Sequence, residues 1–266
     1  MNNLHRELAP ISDAAWGEIE EEARRSFSIR AAARRVVDVP EPRGVELAAV
    51  GTGHFHELAA PSGQVLAKGR EARPVVEFRA RFTVSRTEVD NVERGAQDSD
   101  WQPVKDAAAA LAYAEDRTVF YGSSDEQIAG MAPESTNARI SLPQDVTEAP
   151  AAVASAINTL RLADVAGPYS LLLSPELYTA LSETTDHGYP VRDHVARLLG
   201  DGHLIWAPAV DGALLVSERG GDYTLQLGQD VSIGYLSHDA DTVELYLQES
   251  LTFLINTAEA CVTISS

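Results

Sequence analysis

The sequence predicts an α+β fold, on three observations. The first is a dense period-two alternation over residues 216–254. Tyr223, Leu225 and Leu227 alternate with Thr224, Gln226 and Gly228; Val231, Ile233 and Tyr235 follow, then Val243, Leu245 and Leu247. Alternation of this kind marks half-buried strands, here an antiparallel meander with one apolar face that something must cover. The second is a pair of long segments with helical spacing, at residues 13–27 and 100–121. The third is a strand–helix section over residues 169–206, which reads as a compact α/β unit.

The elements follow in order. Ser12 is placed to cap the helix over 13–27, with Ile11 and Trp16 spaced as a hydrophobic staple. Glu18, Glu20, Glu21 and Glu22 precede Arg24 and Arg25, which suits the helix dipole. Trp16, Ile19, Ala23 and Phe27 form one apolar stripe. Val36, Val37 and Val39 then surround Asp38, and Pro40 and Pro42 end that segment. Residues 44–82 show no helical period. Extended pieces at 54–58, 64–67 and 75–82, divided by Gly63, Gly69 and Pro74, read as a long β-hairpin arm. A lone two-stranded hairpin is marginal in water, so this arm calls for a neighbouring subunit to lie on.

A strand end and a helical turn are expected over 82–95. Asp100 then caps a helix that carries Val104, Ala108, Leu111, Ala112, Glu115 and Val119 on one spacing, with Gly122 stopping it. After a loop-rich connector (123–143), a helix over 149–163 turns Val153, Ile157 and Leu160 inward. Strands at 169–173, 204–206 and 214–216 enclose helices starting at Pro175 and Pro190. Further strands at 253–255 and 261–264 close the chain. There is no internal repeat and no Gly/Ser linker, so the lobes share chain crossings.

Composition narrows the function. The chain has 266 residues and is 44% hydrophobic, enough for a real core. Its net charge of −19, from 40 acids and 21 bases, opposes a surface that coats nucleic acid. The bases are nearly all Arg, with Lys68 and Lys105 the exceptions; Arg favours bidentate pairing with carboxylates. Cys261 stands alone, so no intrachain disulfide forms. Residues 1–10 contain no apolar core of a signal peptide, and no run reaches membrane-span length, so a soluble cytoplasmic protein is expected.

Catalytic patterns are sparse. No phosphate loop, GxGxxG, HExxH or GxSxG is present. His54 and His56 share a strand face and could clamp a metal, but no third ligand is evident. Ser237, His238, Asp239 and Asp241 are triad residue types crowded into one turn, where they seldom converge. Cys261 reads as a small buried hydrophobe. The polar loop TTDHGY over 184–189 reads equally as a solvated loop or a functional one.

Four segments carry a family likeness: MNNLHRELAPISDAAWGEIEEEARR at the start, RRVVDV from Arg34, DNVERG from Asp90, and SERGGDYTLQLGQDVSIGYLSHDAD from Ser217. Together, and collinear to about residue 262, they resemble the encapsulins, also called the linocin-type bacteriocins. The resemblance implies a fold like that of HK97-type phage capsid proteins. Residues 1–43 would form an N-terminal helix and arm, 44–82 the E-loop, 83–148 a P-domain with its spine helix, 149–215 the A-domain, and 216–266 P-domain sheet and C-terminal strands. It also implies a closed icosahedral shell of about sixty copies, since closed symmetry lets modest contacts add up.

The family loads cargo enzymes through a C-terminal peptide that docks between the N-terminal helix and the P-domain. Carried onto this chain, the resemblance assigns that role to Phe27, Ile233 and Tyr235 as an apolar trough, with Arg34 and Asp38 fixing the peptide by charge-assisted hydrogen bonds. The cargo implied is a dye-decolorising peroxidase or a ferritin-like protein. Thr184, Asp186, His187 and Tyr189 fall where the family places its five-fold pore, so an Asp ring would attract cations and His187 would let its charge vary. Thr87 occupies the position of an aromatic that stacks flavin in some members, so no flavin, and no other cofactor or metal, is expected. Lys68 is expected to be an ordinary surface or interface residue, not a cross-linker. The alternatives are a protease, which lacks a convincing catalytic motif here, and a secreted bacteriocin, which lacks a signal and a lytic helix.

Overall fold

The computed structural model describes residues 3–125 and 127–265. Met1, Asn2, Glu126 and Ser266 lie outside the described residues, and with them the outermost ends of the 1–43 and 216–266 segments and one position of the 123–143 connector. Helix α1 spans Asp13–Arg30. The Ser12 hydroxyl accepts the Ala15 N–H at 3.3 Å, which satisfies a donor that the first turn leaves unpaired. The helix outruns the 13–27 pattern because Arg30, favourable at a C-terminus, continues its last turn. Its stripe of Trp16, Ile19, Ala23 and Phe27 is buried as spaced.

Strands β1 (Ala49–Leu58) and β2 (Ala67–Pro74) pair antiparallel into a separate two-stranded arm, with a register shift between Gly51 and Phe55. Strand β3 (Val76–Ser85) runs into helix α2 (Arg86–Glu93), a full helix rather than a single turn. Helix α3 (Gln102–Tyr121) follows. The Asp100 carboxylate accepts the Gln102 N–H at 2.9 Å, although Trp101 holds the capping position itself. Gly122 ends α3 at φ 77°, where a Cβ would lie 2.6 Å from the Ile128 carbonyl oxygen; only glycine fits. Strands β4 (Gly122–Ser123) and β5 (Ile128–Ala129), helix α4 (Met131–Glu134) and strand β6 (Ile140–Ser141) add short order within the connector.

Helix α5 (Ala149–Leu162) leads to strand β7 (Tyr169–Leu173) and helix α6 (Pro175–Glu183). Strands β8 (Thr185–Asp186) and β9 (Tyr189–Pro190) make a small hairpin before helix α7 (Val191–Leu199). Strands β10 (Leu204–Trp206), β11 (Ala213–Ser217), β12 (Tyr223–Leu227), β13 (Ser232–His238), β14 (Thr242–Ile255) and β15 (Cys261–Ser265) complete the chain.

Two sheets divide these strands, and the division corrects the expected meander. β14, 14 residues long, is the spine of one sheet. β3 pairs along one side of it, from Ser85–Thr242 to Val76–Leu251. β13 and β12 lie end to end on the other side, against residues 243–248 and 251–255. A strand of that length, at roughly 3.4 Å per residue, offers an edge that two short strands can share. The stretch 216–254 is therefore not one consecutive meander.

The other sheet has the order β10–β7–β11–β15–β6. The C-terminal strand Cys261–Ser265 thus joins the α/β section, antiparallel to β11, instead of extending the β14 sheet. A 3₁₀ turn at Ala258–Ala260, with the Asn256 N–H on the Asp222 carbonyl, redirects the chain. Both β7 and β11 are buried at every position, so they read as continuous apolar runs rather than alternation. α1, α3 and the β3/β13/β14 face enclose one core, including Ile19, Phe27, Phe82, Leu111, Ile233 and Leu247. The five-stranded sheet and its helices enclose the other.

Candidate functional site: a groove between the first helix and the long sheet

α1 does not close completely on the sheet. A groove of about 660 Å³ runs between its Gly17–Phe27 face and the start of β13. Gly17 and Ala23 keep the helix wall low, Phe27, Ile233 and Leu247 supply apolar surface, and Arg6, Glu20 and Arg24 stand at the rim. Ile233 and Leu247 meet because they are direct partners in the β13–β14 register.

Arg34 also lines the groove, but its guanidinium is already engaged. Nε and Nη2 donate to Glu115 at 2.9 and 2.7 Å, Nη1 to Asp230 at 2.9 Å, and Nη2 to Glu249 at 3.2 Å. The same group lies 4.7 Å from the centre of the Phe27 ring. Burial opposes its charge, but Glu115, Asp230 and Glu249 outweigh that and hold its pKa above the ordinary arginine value. In this arrangement Arg34 orders the groove floor more than it offers free donors.

Asp38 lies elsewhere. It borders a separate cavity with Gly220, Asp222 and Tyr223, and its carboxylate accepts the Gly221 N–H at 2.6 Å. Its backbone bridges to β12, taking the Leu225 N–H and donating to the Tyr223 carbonyl. Asp38 thus pins the Gly220–Gly221 turn, where both residues have φ 81°. Tyr235 shares the Ile233 face of β13 but sits beyond the groove, half-buried, with its hydroxyl 2.6 Å from His238 Nδ1 and its N–H on the Leu4 carbonyl. The structure brings Phe27, Arg34 and Ile233 together and leaves Asp38 and Tyr235 outside. Leu247, Asp230, Glu115 and Glu249 were not singled out for this site from the sequence; their strand pairing and burial create the contact.

The loop TTDHGY becomes the β8–β9 hairpin, turned by His187 at φ 47° and Gly188 at φ 83°, the geometry of a two-residue hairpin turn. Asp186, His187 and Tyr189 are exposed and Thr184 is half-buried. His187 Nε2 lies 3.7 Å from Asp186 Oδ1, and the Tyr189 hydroxyl accepts from Arg197. These polar groups project from a braced tip.

The catalytic patterns disperse. Ser237 donates to Glu244, His238 pairs with Tyr235, and Asp239 accepts the N–H groups of Asp241 and Thr242 as a turn former. His56 Nδ1 lies 4.0 Å from Glu71, and among the described residues no three His, Cys, Asp or Glu gather as metal ligands. Complete burial pushes the Cys261 thiol up to about 12, which opposes a reactive thiolate. Thr87 is exposed in the first turn of α2. Among the described residues no helix is long and apolar enough to cross a membrane.

Comparison with known proteins agrees with the geometry. The family described as "Encapsulating protein for peroxidase" matches residues 1–252. The type 1 encapsulin shell protein of Rhodococcus erythropolis is 57% identical over 265 residues, covering 100% of both chains. That of Mycobacterium tuberculosis is 56% identical, again over 100% of both. Among solved structures, a virus-like particle from Pyrococcus furiosus superposes with a TM-score of 0.64 at 17% identity, covering 94% of this chain and 99% of that one. Gordonia phage Cozz gives 0.56 at 12% identity, covering 89% and 86%. At such identities the structural likeness speaks for the fold, an HK97-like capsid fold. Joined to the full-length sequence matches, it means that the chain belongs to the encapsulin shell-protein family.

Proposed function

We propose that this protein is the shell subunit of a cytoplasmic nanocompartment. It closes into an icosahedral shell of about sixty copies and captures cargo enzymes by a C-terminal peptide held in the groove between α1 and β13. The observation that carries the shell reading is the β1–β2 arm. It projects as its own two-stranded sheet with Phe55, Leu58, Val65 and Leu66 exposed, Leu66 at 92%. A hairpin so bare is stabilised only when another surface covers it.

The groove supports the cargo reading because its apolar floor and charged rim suit an extended amphipathic tail. A dye-decolorising peroxidase or a ferritin-like protein is the proposed cargo class; the family's description as an encapsulating protein for peroxidase favours the former. Negative-stain images of purified protein should show uniform closed particles. Co-expression with a cargo bearing its native tail should give filled shells from wild type and Asp38→Ala, and shells with at least tenfold less cargo from Phe27→Ala, a loss of about 1.4 kcal/mol or more. Full loading of Phe27→Ala shells would remove the groove from the reading.

The β8–β9 tip is the proposed pore lining, supported by exposed Asp186 and His187 on a braced turn. Replacing both with Ala should change the entry of charged substrates to an enclosed enzyme while leaving neutral ones unaffected. Equal kinetics for both substrate classes in the variant and wild type would exclude these side chains from the path.

A further inference from the structure

Beneath the groove floor, three carboxyl groups and one guanidinium are enclosed together. Glu115, Asp116 and Glu249 are at most 1% exposed, and Arg34 pairs with Glu115 and Glu249. The surrounding elements supply the rest. α3 brings Glu115 and Asp116, β14 brings Glu249, and the turn before β13 brings half-exposed Asp230. β3 places Phe78 opposite Glu249, while its Arg79 is taken by Glu77 and Gln248. α1 contributes the Phe27 ring against the guanidinium.

One cation cannot balance this many buried carboxylates, and burying an uncompensated anion costs several kcal/mol. The cluster therefore has to hold protons. Glu115 takes Nε and Nη2 of Arg34 at short distance, whereas Glu249 meets only Nη2, at 3.2 Å, and its Oε1 is buried without a hydrogen-bond partner. Glu249 is the carboxyl least able to stay ionised. Asp116 instead receives the N–H groups of Ala32 and Ala33 and faces the end of α1.

We propose that Glu249, Glu115 and Arg34 form a proton-operated pin under the groove. While Glu249 keeps its proton, the guanidinium is shared between Glu115 below and Asp230 at the rim, and Phe27 is held against it. When the proton leaves, a second buried anion draws the guanidinium inward, Asp230 and Phe27 lose their partner, and the floor loosens. Burial first, and the adjacent Glu115 next, raise the Glu249 pKa well above the ordinary carboxylate value, so Glu249 holds its proton past the pH at which an ordinary carboxyl loses it, and the pin opens on alkalinisation. The device is a property of the groove itself, whether or not a cargo tail occupies it.

The test is hydrogen exchange of the assembled protein, followed at residues 27–36 and 247–250 from about pH 6 to about pH 10 and corrected for intrinsic exchange. Wild type should lose about tenfold protection across that range, and Glu249→Gln, an isosteric neutral side chain, should hold its protection throughout. Glu115→Gln provides a second check. Removing the like charge should shift the loss to a different pH by about one unit, toward acid, since Glu249 then ionises more easily. Protection that is flat in wild type, or that falls alike in wild type and both variants, would overturn the pin.

Discussion

Asp116 shows how one buried carboxyl can set a pH dependence. It accepts the Ala32 and Ala33 N–H groups at 2.9 Å each, tying the end of α1 to α3. Burial, partly offset by those two bonds, raises its pKa from 3.8 to about 7. An acid whose folded pKa is raised contributes stability that is full below the unfolded value and lost as pH climbs to the folded one. Stability should therefore decline between about pH 4 and about pH 7, by at most about 1.4 kcal/mol per unit. Asn at this position can accept only one of the two N–H groups and should cost about 1–3 kcal/mol. Chemical denaturation should show the gap between wild type and Asp116→Asn at its widest near or below about pH 4, smaller near pH 5 and narrowest near pH 8. A gap that widens with pH would reverse the assignment. Such groups are hard to read in sequence. Phe27 and Ile233 stand out because apolar periodicity marks them, and family likeness adds Arg34. Asp116 and Glu249 instead look like any solvated acid until α3 and β14 are packed together.

At the scale of elements, the hairpin arm exists but is shorter than the 44–82 reading: its third extended piece, 75–82, becomes β3, which pairs with β14 in the long sheet because that edge supplies partners for its backbone. Of the expected breaks only Gly63 falls in the turn; Gly69 and Pro74 lie within β2, paired with His56 and Ala49, so the second strand covers 67–74 instead of 64–67, and both strands keep little buried surface. Helices were legible: Ser12 caps α1 and Gly122 stops α3 through the chemistry that their residue types supply. Strand order was not legible, because alternation specifies a face and says nothing about the neighbour. The alternation of β15 fits either sheet; after the turn at Ala258–Ala260 it pairs with β11 and β6. Gly234 marks a similar gap: a Cβ there would lie 2.1 Å from the Tyr246 ring, a contact that no local pattern announces. The arm also yields a prediction. Leu66→Glu places a charge on its most exposed apolar residue, where burying the leucine against a neighbour would contribute about 1.5–3 kcal/mol per copy. Size-exclusion chromatography should show the variant as small oligomers with unchanged circular dichroism. Shells of normal size would mean that Leu66 stays solvated in the assembly.

The whole molecule sets apolar attraction against repulsion between acidic copies. Each subunit carries a formal charge of −19, so closing a shell brings many like charges together. Some of the arginines that could pair across subunits already serve their own chain: Arg34 with Glu115, Arg79 with Glu77, Arg117 with Asp211, and Arg219 with Asp222. Acids outnumber bases 40 to 21, so ion pairs between copies cannot neutralise the subunit, and the exposed apolar arm gains in weight. These two facts fix the sign of the salt effect. Added salt shortens the screening length from about 30 Å at 0.01 M to about 3 Å at 1 M, which weakens the repulsion and leaves apolar burial intact. Reassembly of dissociated subunits, followed by light scattering, should give a higher yield at about 0.5 M salt than at about 0.01 M. The Leu66→Glu variant should recover little at either concentration, since screening cannot replace a lost apolar contact. A wild-type yield that falls as salt rises would instead assign the cohesion of the shell to arginine–carboxylate pairs between subunits.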